Sequence, residues 1–240
     1  MMKLKTKKGA AISIIKDGRN NVYLISGENI NVLIDTGRSS PDFPALRKTI
    51  EGLMIKPGKI THLIITHSHY DHCMNAKAIK DLENCEIILS RHEAVFANAG
   101  FTPLPGGTRF ISNLITRLGK ALGPKRFSYQ PFSADILADD HLILTDGDLQ
   151  LEIIETPGHT RGSISIIIDS EIALIGDAMF GVFKNSVMPP FAEDPKELVK
   201  SWGKLLKTGC DKFLPGHGNE VSRELLQREY EKYILKYHLQ

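Results

Sequence analysis

The segment THSHYDH, residues 66–72, sets His67, His69, Asp71 and His72 within six positions. Neutral imidazole and ionised carboxylate are the donors that suit zinc, and also iron or manganese. In extended backbone, residues two apart point to the same side, so His67 and His69 can grip one ion together. Asp71 and His72 fall at the following turn and helix start, from which they can face a second ion. The same pattern, an apolar run that ends in a metal-capable residue, recurs along the chain. NVLID ends in Asp35, LEIIETPG leads to His159, EIALIG to Asp177 and DKFLPG to His217. If these runs are strands whose ends share one rim, the side chains converge there, on the rigid platform that catalytic sites use. His62, His92, His141 and His238 lack this context and read as surface or packing residues.

The elements needed to position these groups can be read from periodicity. Apolar, β-branched runs at 11–15, 21–25, 31–35, 62–66, 86–90, 141–145, 149–156, 163–169, 171–176 and 212–215 are strand length and bounded by turn-forming residues. Residues 42–54 carry Phe43, Leu46, Ile50 and Leu53 at helical spacing. DPKELVKSWGKLLKTG has Asp194 as N-cap, Pro195 in the first turn, Glu197 at a capping-box position and Gly209 as a stop. Residues 220–237 set Val221, Leu225, Tyr230, Tyr233 and Tyr237 on one stripe. Strands come in runs, with helices between groups, which predicts mixed sheets with helices on their outer faces. Residues 91–135 lack strand character. Within them Phe110, Ile111, Leu114, Ile115, Leu118 and Leu122 share a helical face. That face either packs into the core or forms a lid or wall over a substrate site. It could also pair with a twin in a symmetric homodimer.

Bulk properties narrow the field. With 240 residues, 42% of them hydrophobic, the chain can build a core without disulfides, and a single domain with a helical insert at about 91–135 is expected. Thirty basic and 28 acidic residues leave a net charge of +2, too balanced to argue for nucleic acid or a membrane as partner. Cys73, Cys85 and Cys210 form no paired framework and read as reduced thiols. The N-terminal apolar run is too short for a secretory signal, and no segment reads as a bilayer span. A soluble, cytoplasmic protein is the expectation.

THSHYDH resembles the H-x-H-x-D-H signature of the metallo-β-lactamase superfamily. LIDTG resembles its first motif, and TPGHTRGS, IGDAMF and LPGHG resemble its later ones, in order, from about residue 11 to 218. The resemblance implies an α+β fold of the αββα sandwich type: two mixed β-sheets face to face, helices outside and metals at one edge. It implies that His67, His69 and His159 hold one metal, that Asp71, His72 and His217 hold a second, and that Asp177 bridges them. Asp35 would brace the loop that presents the ligands. The cofactors implied are two divalent metal ions, zinc first, with iron or manganese as alternatives. Ions about 3.5–4 Å apart share a bridging water. They lower its pKa from 15.7 to about 7, and the hydroxide attacks a carbonyl or phosphorus. Asp71 is then the candidate catalytic proton carrier beside its ligand role. Cys73 reads as a packed residue, Thr160 and Ser163 as supports for His159, and Tyr70 as a wall or substrate contact. Phe180, Phe183 and Met188 form either an apolar wall near the metals or plain core.

Branches of that family can be separated. Its β-lactam-cleaving enzymes are typically exported, and many carry cysteine at the position of Asp177. The glyoxalase II branch carries a helical domain after its last histidine, whereas about 23 residues follow His217 here. RNA-processing branches use additional basic or helical modules. What remains is a glyoxalase II-like or lactonase-like hydrolase of a small ester, thioester or lactone with an apolar part. The alternatives are a mononuclear iron dioxygenase acting on persulfides, a phosphodiesterase of the same superfamily, and a non-catalytic binding module. On the hydrolase reading, His69→Ala lowers turnover beyond the roughly 100-fold that loss of an outer partner costs a metal site. Its circular dichroism spectrum stays that of the parent, and His238→Ala changes neither quantity.

Overall fold

Strand alternation decides the layering of the molecule. The computed structural model describes residues 2–38, 43–53, 59–121, 123–139 and 141–239. One sheet is built, in spatial order, from β1 (Met2–Lys5), β2 (Ala11–Asp17), β3 (Asn20–Ser26), β4 (Asn31–Ile34), β5 (His62–Ile64), β6 (Glu86–Leu89) and β7 (Ile136–Leu137). β1 to β4 pair antiparallel, and β4 to β7 pair parallel. The second sheet contains β8 (His141–Asp146), β9 (Leu149–Glu155), β10 (Ile164–Ile168), β11 (Ile172–Gly176), β12 (Lys212–Pro215) and β13 (Val221–Ser222). Its order is β13-β12-β11-β10-β9-β8, antiparallel except for β11 with β12.

Residues two apart share a sheet face. Ile12, Ile14, Tyr23, Ile25, Val32 and Ile34 therefore point from the first sheet toward Leu151, Ile153, Ile164, Ile166, Ile168 and Leu174 of the second, forming the central core. The intervening residues Val22, Leu24, Leu33, Leu63 and Ile87 face outward onto α1 (Phe43–Leu53) and α3 (Ala76–Glu83). On the other side Ile167, Ala173, Ile175 and Phe213 meet α6 (Pro195–Lys207) and α7 (Arg223–Tyr237). The result is an αββα sandwich. Because both faces are covered, β4, β10 and β11 are buried along their whole length and read as unbroken apolar runs. Each Leu or Ile so buried contributes about 1.5–3 kcal/mol.

The topology also aligns the strand ends. β4, β5 and β6 run parallel. β9 and β11 each run antiparallel to β10, hence parallel to each other, and β12 runs with β11. The segments that leave β4, β5, β9, β11 and β12 therefore emerge on one rim, where their polar residues follow.

Helix ends follow local chemistry. The Asp194 carboxylate accepts hydrogen bonds from the Lys196 and Glu197 amides at 2.9 and 3.0 Å, and Gly209, at φ +81°, stops the chain after α6. The C-terminal stripe is corrected at its start. Val221 lies in β13, opposite Phe213, and the helix begins only at Arg223, with Ser222 as its N-cap.

One reading of the 91–135 insert also needs correction. The insert folds as α4 (Arg91–Ala99), α5 (Phe110–Ala121) and a 3-10 turn at Pro124–Phe127. The core-helix reading of α5 fails, since Phe110, Ile111, Leu114, Ile115 and Leu118 are all exposed, while Ser112, Thr116 and Gly119 face inward. Leu122 lies outside the described residues. The physical reason lies on the inner side: Thr116 donates to the Pro105 carbonyl at 3.1 Å, and Gly119 packs so closely that a Cβ there would come within 2.9 Å of Leu104. Among the described residues, no helix is long and apolar enough to cross a membrane.

Trp202 of α6 links this packing to the rim. It is fully buried, meets the Tyr233 ring edge-on at 5.6 Å, and donates Nε1–H to the Ala178 carbonyl at 2.7 Å, one residue beyond Asp177. Trp202→Ala is expected to cost about 3–5 kcal/mol in denaturant unfolding, with Trp202→Phe intermediate because it refills much of the cavity.

Candidate metal centre

The rim gathers the donors the sequence singles out. His67 and His69 follow β5, and His69 N-caps the single turn α2 (Tyr70–Cys73), which carries Asp71 and His72. His159 follows β9, Asp177 follows β11 and His217 follows β12. Three sets each have ligand atoms within 4.8 Å of one another: His67 with His69 and His159, His67 with His72 and Asp177, and Asp71 with His72 and His217. His69 Nδ1 lies 3.0 Å from His159 Nε2, and His72 Nε2 lies 3.3 Å from His217 Nε2. Asp177 is within 3.4–3.6 Å of His72, His159 and His217. His62, His141 and His238 lie elsewhere: His62 beside Glu86, His141 on Glu152 and His238 at the end of α7.

Partners behind the rings decide which nitrogen faces inward. His159 Nδ1–H donates to the Phe191 carbonyl at 2.9 Å, and His217 Nδ1–H donates to the Arg19 carbonyl at 3.2 Å. His72 Nδ1–H donates to Asp35 Oδ2 at 2.8 Å. The Nε2 atoms of these rings are thereby turned inward, toward the other donors. His67 Nε2, His69 Nε2 and Asp177 Oδ1 are buried with no hydrogen-bond partner. A group of buried lone pairs facing each other, each costing about 1–3 kcal/mol if unsatisfied, is the arrangement a cation relieves.

The supporting contacts join distant segments. Asp35, in the left-handed region at φ +59°, also accepts the Thr66 amide and hydroxyl, both at 2.8 Å, and so ties the end of β4 to the histidine loop. Glu93, which the sequence reading missed, is 1% exposed. Its carboxylate accepts the Ser68 amide at 2.8 Å, the Ser68 hydroxyl, and the Gly162 amide at 3.2 Å, joining the loops of His67–His69 and His159. The S-x-x-E spacing of Ser90 and Glu93 would read as a capping box; here the side chain turns to the site instead. Tyr23 and Asn21 of β3 donate to the Pro215 carbonyl at 2.6 and 2.8 Å, holding the His217 loop to the opposite sheet. A Cβ on Gly216 would come within 2.5 Å of His72 Cε1 and 2.7 Å of Asp177 Oδ1, so a side chain there displaces the donors.

The remaining candidates separate by environment. Phe180 lies beside the site, its ring 4.7 Å from that of His217, while Met188 is core and Phe183 sits under Arg109 at the surface. Tyr70 meets Phe127 of the insert edge-on at 5.4 Å. Cys73 is buried, its thiol pushed well up by desolvation, and it donates to the Ser68 carbonyl. Thr160 and Ser163 bond one another at 2.8 Å beside His159.

The electrostatics divide the site in two. Burial pushes His67 well below its ordinary pKa and His159 down to about 4; burial also lowers His69, against the pull of Asp71 and Asp177. For His72 burial opposes the charge, but Asp177 and Asp35 outweigh it and raise the pKa well above 6.5. His217 is raised in the same way, by Asp177 and Asp71 against burial. Burial would raise Asp177, but His217, His72 and His159 hold it down to about 2. Asp71 is held well below the carboxylate range by its bond to His217 and the charge of His72, again against burial.

This geometry, histidines and aspartates converging on one rim of an αββα sandwich, defines a metal-binding protein. The family model for the metallo-beta-lactamase superfamily matches residues 15–217. A probable metallo-hydrolase of Methanocaldococcus jannaschii is 32% identical over 203 residues, covering 83% of this chain and 87% of that one. An acyl-coenzyme A thioesterase of Homo sapiens is 25% identical over 230 residues, covering 91% and 80%. The solved structure of an archaeal metallo-beta-lactamase superfamily protein from Sulfolobus tokodaii superposes with a TM-score of 0.66 at 20% identity, covering 95% of this chain and 88% of the other. The chain belongs to the metallo-β-lactamase superfamily.

The divided electrostatics give a measurable asymmetry. His67, His69 and His159 are lowered and so neutral at pH 7, ready to bind a cation without losing protons. His72 and His217 are raised, so a cation bound by them displaces protons, and its affinity climbs as pH rises through their pKa values. Calorimetry of metal-free protein in buffers of differing ionisation enthalpy is expected to show about one proton released for each imidazole that starts charged when metal binds.

Proposed function

We propose that this chain is a metal-dependent hydrolase of small esters, with thioesters of apolar acyl groups as the leading class and lactones beside them. The convergence of unpartnered imidazole and carboxylate donors carries this reading. The donor chemistry fits two divalent ions, zinc first and iron or manganese as alternatives. His67, His69 and His159 would hold one, Asp71, His72 and His217 the other, and Asp177 would be shared. When bound, such ions supply Lewis acidity and a water ionisable near neutral pH.

The chain's own groups supply the rest. Asp35 and the carbonyls of Phe191 and Arg19 accept from the far nitrogens of the rings, which turns the Nε2 atoms of His72, His159 and His217 inward. The Asp71 side chain is 21% exposed, against 5% for Asp177. Asp71 is thus the carboxylate that incoming water can reach, and the one placed to take up its proton or pass one to a leaving group. Phe180, Tyr70 and Phe127 give an apolar flank for an acyl chain. A relative named as an acyl-coenzyme A thioesterase, matched over 91% of this chain, favours thioesters within the class.

Elemental analysis of purified protein, followed by ester, thioester, lactone and phosphodiester assays, tests this. The expected result is two divalent ions per chain and turnover of an acyl ester or thioester that chelation abolishes and zinc restores. One iron per chain with oxygen uptake on persulfides overturns it, as does metal-replete protein inert on every ester tested.

A further inference from the structure

Helix α5 is built inside out. Its small and polar residues Ser112, Thr116 and Gly119 face the protein, and Phe110, Ile111, Leu114, Ile115 and Leu118 are 52–86% exposed. The orientation is anchored on the inner side by Thr116 on the Pro105 carbonyl, and by Thr108, whose amide and hydroxyl donate to Pro190 and Pro189 at 2.9 and 2.6 Å. A contiguous apolar face of this kind marks an interaction surface.

Charge identifies what the face meets. Residues 94–134 contain no aspartate or glutamate, yet they hold Arg109, Arg117, Lys120, Lys125 and Arg126. Arg109, Arg117, Lys125 and Arg126 are all exposed: Arg109 immediately precedes the helix, Arg117 lies on it, and Lys125 and Arg126 lie in the turn that follows. The near-neutral total, which argues against a membrane partner, averages over this one-sided segment. A second copy of the chain seated here would set like charges together with no acid on the segment to pair them. An exposed apolar helical face in a segment whose charges are all cationic matches an anionic lipid surface instead.

We propose that α5 is a docking helix whose apolar face enters the boundary between headgroups and acyl chains of an anionic membrane surface, with the flanking cations among the phosphates. The helix also borders the metal centre. Pro189 and Pro190, which hold Thr108, precede Phe191, whose carbonyl accepts the hydrogen bond from His159 Nδ1–H. Phe127, behind α5, packs on Tyr70. Docking therefore places at the lipid surface a helix whose inner side leads, through Phe127 and Tyr70, to the site. Delivery of acyl substrates from that surface rests on the hydrolase reading, whereas the docking does not.

Co-sedimentation of the full chain with large vesicles decides the matter without any turnover measurement. The protein is expected to pellet with vesicles of equal parts phosphatidylglycerol and phosphatidylcholine, weakly with phosphatidylcholine alone, and less as salt rises. Ile111→Glu with Leu118→Glu should weaken binding by at least about tenfold while leaving the circular dichroism spectrum unchanged. Arg117→Glu with Lys125→Glu, which leaves the apolar face intact, should remove the preference for anionic vesicles. Absence of wild-type binding to the anionic vesicles overturns the proposal, as does undiminished binding by the first pair. A dimer in sedimentation equilibrium that the first pair converts to monomer assigns the face to a second copy and overturns it equally.

Discussion

Imidazole nitrogens do not sit at hydrogen-bonding distance with both lone pairs facing unless something between them compensates. His72 Nε2 and His217 Nε2 are 3.3 Å apart, and the opposite nitrogen of each ring already donates, to Asp35 and to the Arg19 carbonyl. Either a proton shared among nearby carboxylates or a cation must fill the gap. Much else in the structure follows from holding this repulsive group in place. Asp35 accepts from the far nitrogen of His72 while it anchors the histidine loop, and Gly216 leaves the space that His72 and Asp177 occupy. Buried charge of this kind is tolerable only where the surrounding frame is rigid.

The two sheets provide that frame. Neither alone carries a complete donor set: His67, His69, Asp71 and His72 come from the first sheet's rim, and His159, Asp177 and His217 from the second's. The sheets are held in register by the central Ile, Leu and Val layer, and at the rim by bonds that cross between them. Ile164 N donates to the Thr66 carbonyl, Tyr23 donates to the Pro215 carbonyl, and Glu93 holds the Ser68 and Gly162 loops together. Packing energy from the core is thus converted into the positions of seven side chains.

The surface shows how averages conceal local physics. A net charge of +2 is spread over a chain in which residues 94–134 have no acid at all. Helical periodicity located the apolar face of α5 correctly but said nothing of its direction. The same stripe would satisfy a core helix or a surface one, and the choice fell to Thr116 and Thr108, whose polar bonds turn the small side inward.

Strand runs, the Asp194 cap and the donor residues at strand ends were legible because each depends on neighbours in the chain: period, capping and turn chemistry act over a few residues. Val221 was misplaced because a two-residue strand beside a helix leaves too short a pattern to separate the two. Glu93 carried a signal for the wrong role, since S-x-x-E spacing describes a cap while its carboxylate serves loops 25 and 69 residues away. The residue types of the metal centre, and the order in which they occur, were determined by the sequence by itself. Which nitrogen of each ring faces inward, which sheet supplies which half of the site, and which side of α5 meets solvent were decided only by the tertiary structure. Those outcomes depend on hydrogen bonds and packing between segments far apart in the chain, where local propensity has no reach.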